Sequence, residues 1–242
     1  MLPKLDVPIY EVKLISTGKP IRFRPFLVKE QKLFLMAAES EDAKETINVI
    51  RQVLKNCVLD DIDVTSLPLF DIEYLFLNLR ARSISEVVNL RYKCNNKVDD
   101  EKGGTKTCNH VVELDVNVLD VEPEKSPNHT NKIEINPKLG IVMKYPRMDM
   151  LDEKNTDELD IILNLIIDCI DYIYDEDQVY YAKDNTKEEL LEFLDSLQAR
   201  DLEKLKEFFE TMPKLKKKLD FTCGKCGYHE NIEIEGLQSF FG

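Results

Sequence analysis

The sequence lacks most of what an enzyme needs. It has no GxGxxG or GxxxxGK(S/T) loop, so no cradle for a nucleotide phosphate is visible. It has no HExxH pair and no H-x-E partner for a deaminase zinc. Histidine is scarce: His110, His129 and His229 are the three, and none stands in a recognisable arrangement with a serine or cysteine nucleophile. No apolar stretch reaches bilayer length and no apolar run follows Met1, so neither a membrane span nor a secretory leader is expected. Cations are also short. Lysine and arginine total 33 against 46 aspartates and glutamates, for a net charge of −13. That balance argues against non-specific nucleic-acid binding, which needs cations facing phosphate. It suits a protein that stays soluble until it meets a partner.

What the chain does have is a small set of cysteines. Six in 242 residues do not make a disulfide scaffold, and the expected setting is soluble, reducing and cytoplasmic. Cys223-Gly224-Lys225-Cys226-Gly227 has the residue types of a metal knuckle. Two thiols reach one tetrahedral ion across a tight turn, and the glycines let the backbone fold around it. A knuckle supplies half of a four-ligand site. Cys94 and Cys108, which bracket a polar, glycine-bearing loop, are the candidates for the other half. Structural zinc at Cys94, Cys108, Cys223 and Cys226 is the leading reading. A redox CxxC and a site in which His110 or His229 replaces a cysteine remain open. Redox motifs of this spacing start a helix after a strand, whereas Gly224 and Gly227 favour a turn between strands. An ion held by four thiolates has no open position for water, so such a site is structural.

Residues 7–15 and 21–26 alternate around Gly18-Lys19-Pro20 and predict a hairpin. Its Arg22 and Arg24, with Lys29, offer either a solvated face or contacts for an acidic partner. Helices are expected over 28–39, over 43–58 with Ile47, Ile50, Leu54 and Cys57 on one stripe, and from Ser66-Leu67-Pro68 to Ser83. Cys57 reads as a packed thiol. Strands are expected from 87 to 92 and from 111 to 118, then a loop over 120–131. A second hairpin, 132–135 with 140–145, turns at Asn136-Pro137.

Residues 149–177 carry eleven acidic side chains against one lysine and read as the most apolar helix. Asp160, Asn164, Asp168, Asp171 and Asp175 form one polar stripe along it. A solvated face or an acidic docking strip fits better than magnesium, which needs carboxylates from several elements. A short strand or extended link follows at 177–183. Thr186 and Glu189 then form a capping box for a helix, and another helix runs over 199–211 until Pro213 stops it. Lys214, Lys216, Lys217 and Lys218 make a basic run that would balance the aspartates or solvate a surface. After the knuckle, 228–234 alternates as a strand. Phe240 and Phe241 either dock on this chain or enter a partner.

Several stretches together resemble the T4-like bacteriophage baseplate hub protein family. They are Arg24-Pro25-Phe26-Leu27-Val28-Lys29-Glu30-Gln31-Lys32, Leu67-Pro68-Leu69-Phe70-Asp71-Ile72-Glu73-Tyr74-Leu75-Phe76, and Arg80-Ala81-Arg82-Ser83. The Cys94/Cys108 loop, the 221–228 knuckle, and Glu235-Gly236-Leu237 with Phe240-Phe241 complete the set. The resemblance implies a viral assembly protein that binds other phage baseplate hub proteins, in the host cell cytoplasm during assembly or in the virion tail baseplate. It carries over no binding residues.

The expected fold class is α+β. It comprises an N-terminal β-hairpin, a helical bundle core, and a zinc-ribbon-like antiparallel β subdomain formed by residues 86–118 and 218–234. The expected segments are 1–85, 86–148, 149–217 and 218–242, in one compact domain. The expected function is non-enzymatic assembly of the baseplate hub through protein–protein binding, with neither nucleic acid nor membrane as partner. The rival readings are a zinc-ribbon nucleic-acid module, resting on the knuckle and its lysines, and a metal-dependent enzyme, resting on Asp168, Asp171 and Asp175.

Overall fold

A computed structural model describes residues 6–40, 43–100, 103–151 and 158–236. The chain divides into two compact units. Unit 1 takes residues 1–62, 70–124 and 214–242, and unit 2 takes 63–69 and 125–213.

Unit 1 opens with the expected hairpin, β1 (Tyr10–Lys13) against β2 (Pro20–Phe23), turned at Gly18 with φ 68°. Three helices follow, α1 (Val28–Ser40), α2 (Ala43–Cys57) and α3 (Leu69–Ser83). Their apolar positions fall at helical spacing, and Val53, Leu54, Cys57, Ile72, Phe76 and Leu79 are buried. Phe34 of α1 bridges Phe26 and Phe76, with ring centroids 5.7 and 5.5 Å apart.

Two buried carboxylates tie the hairpin region to the helices. Asp71 of α3 accepts from the Ile15 amide at 2.7 Å, from the Ser16 amide at 3.2 Å and from the Ser16 hydroxyl. Glu30 accepts from Arg24 at 2.9 Å and from the Leu27 amide at 2.8 Å, which caps the start of α1. Arg22 pairs with Asp60 at 2.6 Å. Both arginines that the sequence offered to an acidic partner therefore have partners within their own chain.

The period then changes to two. β3 (Val87–Lys93) pairs antiparallel with β6 (Val111–Asn117). The loop between them, expected to be irregular, holds a small hairpin of β4 (Lys97–Asp99) and β5 (Thr105–Thr107). The expected loop at 120–131 likewise contains β7 (Pro123–Glu124).

Unit 2 contributes β8 (Lys132–Asn136), β9 (Leu139–Met143), α4 (Glu158–Asp168), β10 (Ile170–Tyr174), β11 (Val179–Tyr181), α5 (Lys187–Asp195) and α6 (Ala199–Thr211). Its strands form one antiparallel sheet in the order β11-β10-β9-β8. Ile141, Ile166, Ile170, Leu194, Leu205 and Phe208 belong to one core that sheet and helices share. In this unit helices pack on strands rather than on one another as a bundle. The long helix expected over 149–177 is also corrected. It stops at Asp168, and β-branched and aromatic side chains carry 170–174 into a strand. Asp171 and Asp175 thus leave the helical stripe. The capping box is present: the Glu189 amide donates to Thr186 Oγ1 at 3.2 Å and the Thr186 amide to Glu189 at 2.8 Å.

The chain returns to unit 1 with β12 (Lys214–Thr222), which pairs with β7 on one side and with β13 (His229–Glu235) on the other. Leu77, Val88, Leu90, Val116, Val118 and Leu215 pack together beneath these strands. The Phe240-Phe241 tail lies outside the described residues. Among the described residues no helix is long and apolar enough to cross a membrane.

Among the described residues Gly140 is the tightest glycine. It pairs with Tyr174 across β9 and β10, and a Cβ there would meet the Tyr174 hydroxyl oxygen at 2.1 Å. A stiff ring cannot yield cheaply. Gly140→Ala is expected to destabilise the protein by about 1–3 kcal/mol, measured by chemical denaturation.

Glu30 generates a pH prediction. Burial disfavours its charge, but Arg24 and the Leu27 amide outweigh burial and hold the carboxyl below its usual 4.5. A depressed folded value contributes stability that is complete above the unfolded value and lost as pH falls through the folded one. Glu30→Gln should therefore cost about 1–3 kcal/mol at neutral pH. The gap to the wild type should close as pH falls below 4.5, as followed by denaturant midpoints.

Candidate metal centre

Two turns bring the sulfurs together. β3 ends at Lys93 and hands the chain to Cys94, whose amide donates to the His110 carbonyl at 2.9 Å. The Asn109 amide returns a bond to the Cys94 carbonyl at 3.0 Å, and the Cys108 amide donates to Asn96 at 2.8 Å. Asn109 has φ 51°, a left-handed conformation that asparagine tolerates better than most residues. In the second turn, between β12 and β13, the Gly227 amide donates to the Cys223 carbonyl at 2.9 Å. The Cys223 amide donates to Tyr228 at 2.8 Å. Gly227 sits at φ 70°, where a side chain would be strained.

The sulfurs of Cys94, Cys108, Cys223 and Cys226 all lie within 4.8 Å of one another. Cys94 approaches Cys226 to 3.7 Å and Cys108 approaches Cys223 to 3.8 Å, so each close pair takes one thiol from each turn. All four are free thiols. The separations are far beyond a sulfur–sulfur bond of about 2.05 Å. A tetrahedral ion with metal–sulfur bonds of about 2.3 Å would hold its ligands about 3.8 Å apart. Donor type and spacing are compatible with a metal site.

The surroundings favour charge on some sulfurs and resist it on others. The Tyr228 amide, helped by the Asn96 side chain, holds Cys226 low, at about 6, against the effect of burial. Asn96 Nδ2 lies 3.7 Å from that sulfur. Burial pushes Cys94 up to about 12. Cys108 is faced by the His110 amide, but burial and the neighbouring thiols outweigh it and the net shift is upward. Thiolates this close repel one another unless a cation sits among them. An apolar shell closes the site. Phe221 packs with three of the thiols, and Tyr92, Val98, Val112 and Ile232 lie against them. The Tyr92 and Phe221 rings are 5.0 Å apart.

The other candidates fall elsewhere. The cluster holds neither His110 nor His229; both are exposed, and His229 Nδ1 lies 3.2 Å from Thr222 Oγ1. The CxxC turn joins two strands rather than starting a helix. Cys57 and Cys169 are fully buried thiols, pushed by burial to about 11 and about 12, and act as packing. Asp168 pairs with Lys187 at 3.2 Å, and Asp171 lies exposed on β10. Asp175 accepts from the amides of Asp177 and Gln178, each at 2.9 Å. Among the described residues the four cysteines are the group of three or more potential ligands that converges.

The basic run, expected to balance the aspartates or solvate a surface, is part of β12, where Lys218 is exposed. Lys214 reaches Glu235 at 3.1 Å, and Lys216 reaches Glu233 and Glu235 at 2.9 Å each, across the β12–β13 pair. Asn96, Tyr92 and Phe221 were not singled out as site residues. Asn96 had a signal, its place two residues after Cys94; the two aromatic residues had none beyond their strands.

A family model described as T4 bacteriophage base plate protein matches residues 7–242, and the chain belongs to that family. No curated protein and no solved structure matches it.

Proposed function

We propose that this chain is a non-enzymatic part of the phage baseplate hub that acts by binding other baseplate subunits. The observation that carries the reading is the family match, which spans nearly the whole chain. The chain works in the host cell cytoplasm while the tail is built, and its place in the particle is the tail baseplate. A structural zinc ion held by Cys94, Cys108, Cys223 and Cys226 keeps its binding surfaces in shape. Support for the ion comes from the four converging thiols and their spacing. Four thiolates complete a tetrahedral shell, which suits a clamp and leaves no place for an activated water. Against a nucleic-acid ribbon stand the net charge of −13 and the pairing of Lys214 and Lys216 with Glu233 and Glu235.

Two experiments test the reading. Co-expression with the baseplate subunits of the same phage should give a complex that survives purification. Failure to form one with any subunit counts against the proposal. Separately, the purified chain should carry about one zinc, and Cys223→Ser should lower zinc content and melting together, the latter by about 5 °C or more. A variant with full zinc and unchanged melting would refute the metal clamp.

A further inference from the structure

The four-stranded sheet of unit 2 has two edges with different chemistry. β8 is a guarded edge. Lys132 and Glu134 are exposed on it, and Lys204 Nζ donates to the carbonyls of Glu134 and Ile135 at 3.0 and 3.3 Å. Charged side chains and occupied carbonyls discourage another strand from pairing there. β11 is less guarded: the Tyr181 carbonyl accepts from Asn185 Nδ2 at 2.8 Å, but the strand carries no charged side chain of its own. It pairs with β10 on one side only, and its three residues are Val179, Tyr180 and Tyr181. They are 47, 38 and 47% exposed. Such an edge is a template for a further strand.

Beside β11 lies a hollow of about 310 Å³. Leu139, Ile173, Tyr180 and Phe193 give it an apolar lining, and Asp175 and Glu189 add two carboxylates. Residues 175–195 around it carry eight carboxylates against two lysines. Tyrosine rings in this sheet already hold ammonium groups. Lys132 lies 4.8 Å from the Tyr174 centroid, and Lys183 lies 5.3 Å from that of Tyr181. Those rings are thus taken by the chain's own lysines, and it is the apolar hollow and the acidic excess that suit an extended chain apolar and basic by turns.

We propose that β11 and its hollow take up an extended segment of another baseplate protein as a fifth strand, with lysine or arginine beside apolar residues. This rests on the function proposed above and names the surface that performs it. Main-chain hydrogen bonds to β11 supply affinity, the hollow takes an apolar side chain, and the acidic rim selects the basic ones. A second copy of this chain is disfavoured as occupant because its own edge would bring the same negative charge.

The test uses the full chain and short synthetic peptides, one alternating valine with lysine and the other valine with glutamate. The lysine peptide should bind at least about tenfold more tightly and slow amide exchange at 179–181. A Val179→Lys, Tyr181→Lys double variant with unchanged melting should lose that binding. If the variant does not fold, exchange on the wild type decides. Equal binding of the two peptides, or no protection at 179–181, overturns the proposal. A dimer protected at 179–181 without peptide overturns it in favour of a second copy. Capture of a baseplate subunit with 179–181 unprotected sinks this surface and leaves the function above intact. Lysine-peptide binding at β11 with no subunit captured does the reverse.

Discussion

Unit 1 depends on a meeting between two turns that lie far apart in the chain. Cys108 and Cys223 are 115 residues apart and their sulfurs stand 3.8 Å from each other. Closing a loop of that length costs about 4 kcal/mol of chain entropy beyond a constant term. The apolar packing of Val88, Leu90, Val116 and Leu215 offsets part of it. Thiolates at these separations would repel one another, and the zinc proposed for them would turn that repulsion into attraction. The turns on either side are shaped for the purpose. Gly227 and Asn109 each adopt a left-handed backbone beside a cysteine of the cluster.

Much of this was legible because the signals were local. The CxxC knuckle, the Thr186/Glu189 box and the stripe along α2 each follow from a few neighbouring residues. The pairing of Cys94 with Cys226 was legible only as chemistry, since nothing local sets that distance. The failure at 149–177 has a specific cause. The register of β10 on β9 shifts between Ile170 and Tyr172, so Ile170 and Ile173 are both buried although three residues apart. A bulged strand with that spacing imitates a helical stripe. The partners of two lysines in the basic run were hidden for another reason. Lys214 and Lys216 find their glutamates on β13, and a cross-strand pair cannot be read from one strand alone.

The two units divide the work. Unit 1 holds the thiol cluster and the buried carboxylates Asp71 and Glu30. Unit 2 holds a sheet with one charged edge and one aromatic edge. The first adds long-range polar contacts to its apolar packing. In the second a mixed core under a meander sheet tolerates an exposed aromatic margin, which is where a partner would find unpaired backbone.

The discontinuity of unit 1 also sets an order of events on the ribosome. The segments of unit 2 end at Pro213, so that unit can be complete while unit 1 still lacks β12 and β13. Between the emergence of Cys108 and of Cys223, 115 residues must be made. At about 5–20 residues per second, translation leaves the first pair of thiols waiting about 6–23 s for the second. During that interval they are an unfinished half of a site, open to any oxidant or metal in their surroundings. The redox state of the surroundings during synthesis would therefore bear on whether the site can be completed, quite apart from where the finished protein works.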